Sequence, residues 1–183
     1  NVHNYKKGKI NPIYIFFNIT NKCNSNCIYC DNWKKKSREI SFSNFKIVIN
    51  RIVENFKPKS IVLSGGEIFD HGEIKKILSY LFSLKGIETY GVSSGIFSFH
   101  LDRNIISMFD SLYFSIDGPN EKTHSLFRKN SDFNTIKNQV IKCVNIIKKE
   151  RLDTRIGLMN VIHKYNYDKL KEMVNFAKRL KVD

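Results

Sequence analysis

The sequence predicts an α/β protein built on a parallel sheet that curls toward a barrel, and three observations carry that prediction. Apolar runs of strand length alternate with longer segments whose apolar residues recur at helical spacing, in five successive units. Strand–helix–strand crossovers of this kind are right-handed, which lays successive strands side by side and parallel. Clusters of Gly, Ser, Cys and acidic residues follow four of the apolar runs, where barrels of this class carry their ligands.

Residues 13–19 form a continuous apolar run, which predicts a first strand buried on both faces. Residues 41–56 are amphipathic, with Phe45, Val48, Ile49, Ile52 and Val53 on one stripe and Ser41 or Ser43 as N-cap. A strand over 60–63, a helix over 72–84, a strand over 88–92 and a short helix over 103–109 follow. Next come a strand over 111–116, a long helix over 133–149 that contains Cys143, and a strand over 155–162. A helix over 167–180, with Asn166 as its cap, closes the pattern. Residues 1–12 read as an N-terminal extension and 13–183 as one domain, because no Pro/Gly-rich linker divides them. A 42% hydrophobic composition is ordinary for a packed core, and no run approaches the roughly 18–20 apolar residues of a membrane span.

Three of the four cysteines fall within eight residues, Cys23, Cys27 and Cys30, immediately after the first strand. A structural zinc site takes four ligands, often as two pairs, and no second pair exists because the five histidines are scattered singly. Three close cysteines and one distant one also make a poor disulfide set. Three thiolates suit a cubane iron–sulfur cluster whose fourth iron stays free for a small molecule. Cys143 sits on the apolar stripe of its helix and reads as a buried, inert thiol.

The segment from Asn18 through Cys23, Cys27 and Cys30, with Tyr29 just before the last cysteine, resembles the cluster loop of radical S-adenosylmethionine (SAM) enzymes. Ser64-Gly65-Gly66-Glu67 and Ser115-Ile116-Asp117-Gly118-Pro119 resemble further signatures of that family, in the expected order. The resemblance implies a partial (β/α) TIM-like barrel of six strand–helix units. Five are visible before the chain ends at Lys181-Val182-Asp183, so the chain is expected to be a fragment of a longer protein.

The strand-end clusters, including Ser93-Ser94-Gly95, are expected to converge on one mouth. The glycines Gly65 and Gly66 let backbone approach a ligand, and Glu67 offers a carboxylate to an ammonium group. By resemblance, Cys23, Cys27 and Cys30 bind a [4Fe–4S] cluster whose free iron is chelated by the methionine end of SAM. Gly65, Gly66 and Glu67 contact its amino group, and Tyr29, Ser94, Ser115 and Asp117 lie against the cofactor. Arg128 is expected to point at the cofactor carboxylate, a group that suits its fork. Many relatives have proline after Gly-Gly-Glu, where this chain has Ile68, and His71 is an unremarkable loop histidine.

The resemblance further implies reductive cleavage of SAM to a 5′-deoxyadenosyl radical that abstracts a substrate hydrogen, in a reducing compartment such as the cytoplasm. Residues 114–128 look most like peptide-modifying and sulfatase-activating members, so the expected substrate is a peptide or protein, with flavodoxin or ferredoxin as electron donor. Small-molecule or cofactor biosynthesis and tRNA modification are the alternatives, the latter motivated by a net charge of +14. A lysine-rich solvated surface is the preferred account of that charge. From another class, a non-catalytic metal-binding module that meets nucleic acid is the competing reading.

Overall fold

The computed structural model describes residues 12–183, so the expected N-terminal extension lies almost wholly outside the described residues. Strand β1 (Tyr14–Thr20) leads into the cysteine loop, which contains the two-residue strand β2 (Asn26–Cys27). Helix α1 (Phe42–Phe56) starts where Ser41 accepts the Asn44 N–H at 3.3 Å, as its sequence predicts. Then follow β3 (Ser60–Gly65), α2 (Ile74–Phe82), β4 (Glu88–Ser93), α3 (Arg103–Ile106) and β5 (Ser111–Ser115). The short helix α4 (Glu121–Ser125), the two-residue β6 (Arg128–Lys129), α5 (Phe133–Glu150), β7 (Arg155–Met159) and α6 (Leu170–Leu180) complete the chain.

The main sheet has the order β1-β3-β4-β5-β7 and every pairing in it is parallel. The expected five-unit, sequentially ordered sheet is therefore observed. Every second strand residue, such as Ile19, Ile61, Leu63, Leu112, Phe114 and Ile156, enters a core completed by Phe45, Ile49, Leu78, Ile136 and Val140 from the helices. The opposite face bears Tyr14, Tyr90 and Tyr113, with successive ring centroids 5.9 and 6.3 Å apart. No helix among the described residues is long and apolar enough to cross a membrane.

Several expectations are corrected. Strand β1 is not buried on both faces: Tyr14 is 51% and Phe16 67% exposed, on an edge strand flanked in the sheet by β3 alone. Strand β7 stops at Met159 rather than at residue 162. There Asn160 Nδ2 donates to the Ile116 carbonyl at 3.0 Å and the Val161 N–H donates to Asp117 Oδ1 at 2.8 Å, turning the chain. Asn166 does precede the helical segment, at the N-cap position of a 3₁₀ turn (Tyr167–Lys169) that leads into α6, but its side chain makes no cap bond: its amide donates to the Asp117 and Val161 carbonyls, both at 2.9 Å. Helix α4 and the antiparallel β2–β6 pair are additions, too short for periodicity to register.

Candidate active site at the strand ends

The turn after β3 is pressed against the turn after β1, and this contact builds the site. Gly66 N–H donates to the Thr20 carbonyl and Glu67 N–H to the Lys22 carbonyl, both at 2.7 Å. A Cβ on Gly65 would lie 2.1 Å from the Thr20 oxygen, and one on Gly66 2.0 Å from the Lys22 oxygen. Gly65 also has φ +133°, a conformation L side chains rarely adopt. Both glycines thus admit the backbone of the cysteine loop, a closer neighbour than the ligand expected from sequence. Asn32 Nδ2 clasps the loop from beyond by donating to the Gly65 carbonyl at 3.0 Å, and Trp33 Nε1 donates to the Cys27 carbonyl at 3.2 Å.

Around this contact a cavity of about 160 Å³ is lined by Cys23, Cys27 and Cys30 together with Tyr29, Gly65, Gly66, Ser94, Ser115 and Arg128. Nine of the eleven residues singled out from the sequence line this one cavity, and only Glu67 and Asp117 stand behind its wall. Burial pushes the Cys23 and Cys27 thiols up, and the Arg128 guanidinium pulls Cys27 back down. Cys143 lies apart in the core, its thiol raised to about 12 by burial, as its helical stripe predicts.

Glu67 is the main departure. Its carboxylate is wholly buried and faces inward: Oε1 accepts the Phe69 N–H at 3.0 Å, and Oε2 accepts the Ser94 N–H at 2.7 Å and the Ser94 hydroxyl at 2.5 Å. The Ser93 hydroxyl donates to the same group at 2.9 Å. Burial raises its pKa to about 7 against the pull of these donors. The side chain therefore pins the β3 turn to the β4 turn, leaving backbone, not carboxylate, at the mouth. The Ser94 hydroxyl is spent on this bond although Ser94 lines the cavity.

Asp117 is likewise buried. It accepts the Arg128 Nε–H at 2.7 Å, the Val161 N–H at 2.8 Å and the Tyr29 hydroxyl. Its own N–H donates to His124 Nδ1 at 3.3 Å, and His124 is held neutral, its pKa lowered to about 4 by burial and by the Arg128 charge. Asp117 thus braces Tyr29 and Arg128 from behind, and Arg128 spends its Nε on it instead of presenting an unpaired fork. His71 is structural, with Nε2 2.9 Å from the Ile40 carbonyl. Sequence reasoning missed Asn32, Trp33 and His124 as supports and named Ser93 only within its strand-end cluster: the partners of Asn32 and Ser93 lie 33 and 26 residues away, and those of Trp33 and His124 sit in turns that carry no periodicity.

The residues fit a cluster. Three thiols line the cavity with no fourth cysteine and no histidine among its lining residues, a donor set that suits a cluster with one iron left open. Ser25 also lines it, its hydroxyl buried with no partner among the described residues.

The sequence profile of the radical SAM superfamily matches residues 17–177. The chain therefore belongs to the radical SAM superfamily, whose enzymes use a [4Fe–4S] cluster and SAM. That membership sets aside a non-catalytic metal-binding module. No curated protein sequence matches the chain. Among solved structures it is similar to Streptococcus suis SuiB bound to S-adenosylmethionine (TM-score 0.76, 16% identity), covering 100% of this chain and 42% of that one. It is also similar to anSMEcpe with bound AdoMet and the Cp18Cys peptide (TM-score 0.67, 17% identity), over 93% of this chain and 49% of that one. A third likeness is to TYW1 with a lysine-pyruvate adduct (TM-score 0.58, 20% identity), over 93% and 60% of the two chains. The chain thus spans about half the length of these structures or less, apart from TYW1.

Proposed function

We propose that this chain is the SAM-cleaving core of an enzyme that removes a hydrogen atom from a peptide or protein. The observation that carries the reading is the single cavity at the strand ends in which three thiols meet the Gly65-Gly66 turn, Ser115 and Arg128. When bound there by Cys23, Cys27 and Cys30, a [4Fe–4S] cluster supplies the electron that breaks SAM into methionine and a hydrogen-abstracting radical. The chain's own part is placement. The Gly65-Gly66 turn offers backbone to the cofactor's amino group, and Ser115 offers a hydroxyl. Tyr29 supplies an aromatic wall whose hydroxyl is tied to Asp117. Arg128 brings a positive charge, its Nη1 3.6 Å from Cys27 Sγ.

The peptide preference draws on the sequence of residues 114–128 and on the peptides bound in two of the similar structures, SuiB with precursor peptide SuiA and anSMEcpe. Thiolate ligands call for a reducing compartment such as the cytoplasm, and the electron calls for a one-electron donor such as flavodoxin or ferredoxin. The net charge of +14 favours tRNA modification as the second reading. Anaerobic incubation with dithionite, SAM and a deuterated peptide pool tests the first. Deuterium is expected in the released 5′-deoxyadenosine; deuterium arriving only from deuterated transfer RNA replaces peptide with nucleic acid.

A further inference from the structure

The β2–β6 pair stands outside the main sheet, yet it delivers an arginine to a metal-ligand cysteine. Cys27 and Arg128 are directly opposed across the antiparallel bridge, and the Ile28 N–H extends it by donating to the Phe127 carbonyl at 2.9 Å. Opposed residues of an antiparallel pair project their side chains to the same face. Arg128 Nη1 accordingly lies 3.6 Å from Cys27 Sγ. On the other side Nε donates to Asp117 Oδ2 at 2.7 Å, and Asp117 is itself fixed by the Val161 N–H and the Tyr29 hydroxyl. The Arg128 side chain is only 10% exposed and that of Asp117 not at all. The guanidinium cannot leave without stranding a buried carboxylate, so its place beside the sulfur is enforced.

We propose that Arg128 is a positioning residue that donates an N–H to the Cys27 sulfur and thereby raises the reduction potential of the cluster, with Asp117 as the strut that holds it; the inference rests on the cluster reading above. Reduction adds one negative charge. A positive group and an N–H···S bond beside the cluster both stabilise the reduced form more than the oxidised one. Lysine replaces this poorly, because one ammonium lacks the planar fork that reaches Asp117 and Cys27 together. The role is additional to any contact with a cofactor carboxylate, since two of the three guanidinium nitrogens are already committed within the protein.

The test uses the anaerobically reconstituted chain, with iron and sulfide analysis before a redox titration followed by electron paramagnetic resonance. In Arg128→Gln the reduction equilibrium is expected to shift at least tenfold against the reduced form, a drop of about 59 mV for a one-electron couple. Arg128→Lys is expected to fall in the same direction by less. Loaded variants with the parent's potential overturn the inference. Should neither variant load, electron–nuclear double resonance on the unaltered protein, grown with ¹⁵N-arginine, decides. A nitrogen coupling to the reduced cluster is expected, and its absence overturns the inference. A parent chain that takes up no iron defeats the cluster reading itself, and the inference with it.

Discussion

Replacing Glu67 by glutamine separates a carboxylate that touches the cofactor from one that holds two turns together. Two of its donors, Phe69 N–H and Ser94 N–H, are backbone groups that cannot rotate away, and they address different oxygens. Glutamine offers one oxygen, so one buried N–H must face an NH₂ donor, whereas the Ser93 and Ser94 hydroxyls can turn to accept. At pH 5 this mismatch is expected to destabilise the domain by about 1–3 kcal/mol. At roughly 2–4 °C per kcal/mol for a domain of this size, Tm falls by about 2–12 °C.

The pH dependence follows from the raised pKa. Glu67 titrates at about 7 in the fold against 4.5 for an ordinary glutamate, so its stabilisation is complete below pH 4.5 and is lost as pH rises toward 7. Glutamine does not titrate. The gap between parent and Glu67→Gln should therefore narrow with rising pH, by up to about 3 kcal/mol across that window at about 1.4 kcal/mol per pH unit. Urea denaturation at several pH values measures the gap, and SAM titration of the reduced cluster measures affinity. A carboxylate in contact with the ammonium would cost about 1.5–3 kcal/mol on removal, roughly ten- to a hundredfold in affinity; the buried geometry predicts less than about threefold. An unchanged Tm together with a tenfold loss of SAM binding would refute the inward-facing carboxylate.

Alanine at Cys23, Cys27 or Cys30 is expected to abolish iron and sulfide uptake, about four of each per chain in the parent, while Cys143→Ala keeps it, as iron analysis and absorbance will read. Gly66→Ala drives a methyl into the Lys22 carbonyl, 2.0 Å from the ideal Cβ, and should lower both Tm and cluster loading. Gly72→Ala, whose nearest neighbour is 3.6 Å away, should change neither; equal behaviour of the two would remove the close approach as the reason for glycine. His124 titrates at about 4 in the fold against 6.5, so its stabilisation is present above pH 6.5 and lost as pH falls toward 4. The parent's advantage over His124→Gln in urea should accordingly widen between pH 4 and 6.5, and a flat difference would contradict its neutral burial.

Local pattern alone determined a good deal. The period of apolar residues marked all five strands of the sheet, and right-handed crossovers ordered them without further information. The same alternation placed Cys23, Gly65, Ser94 and Ser115 at strand ends, so their meeting in one cavity was legible before any coordinate. Where elements end was not, because termini depend on partners far along the chain. Strand β7 stops at Met159 since Asp117, forty-four residues earlier, takes the Val161 N–H, and the Asn166 side chain is turned from capping by the Asp117 carbonyl. Side-chain direction was equally hidden. The identity of Glu67 suggested a contact for an ammonium group, but the β4 turn presents two hydroxyls and an N–H that claim its carboxylate first. The arginine on Cys27 depends on a bridge of two residues per strand, below any periodicity, whose register only the packed chain decides. Sequence records which groups are available near the mouth; hydrogen-bond competition among them, resolved in three dimensions, decides which are left to face a ligand.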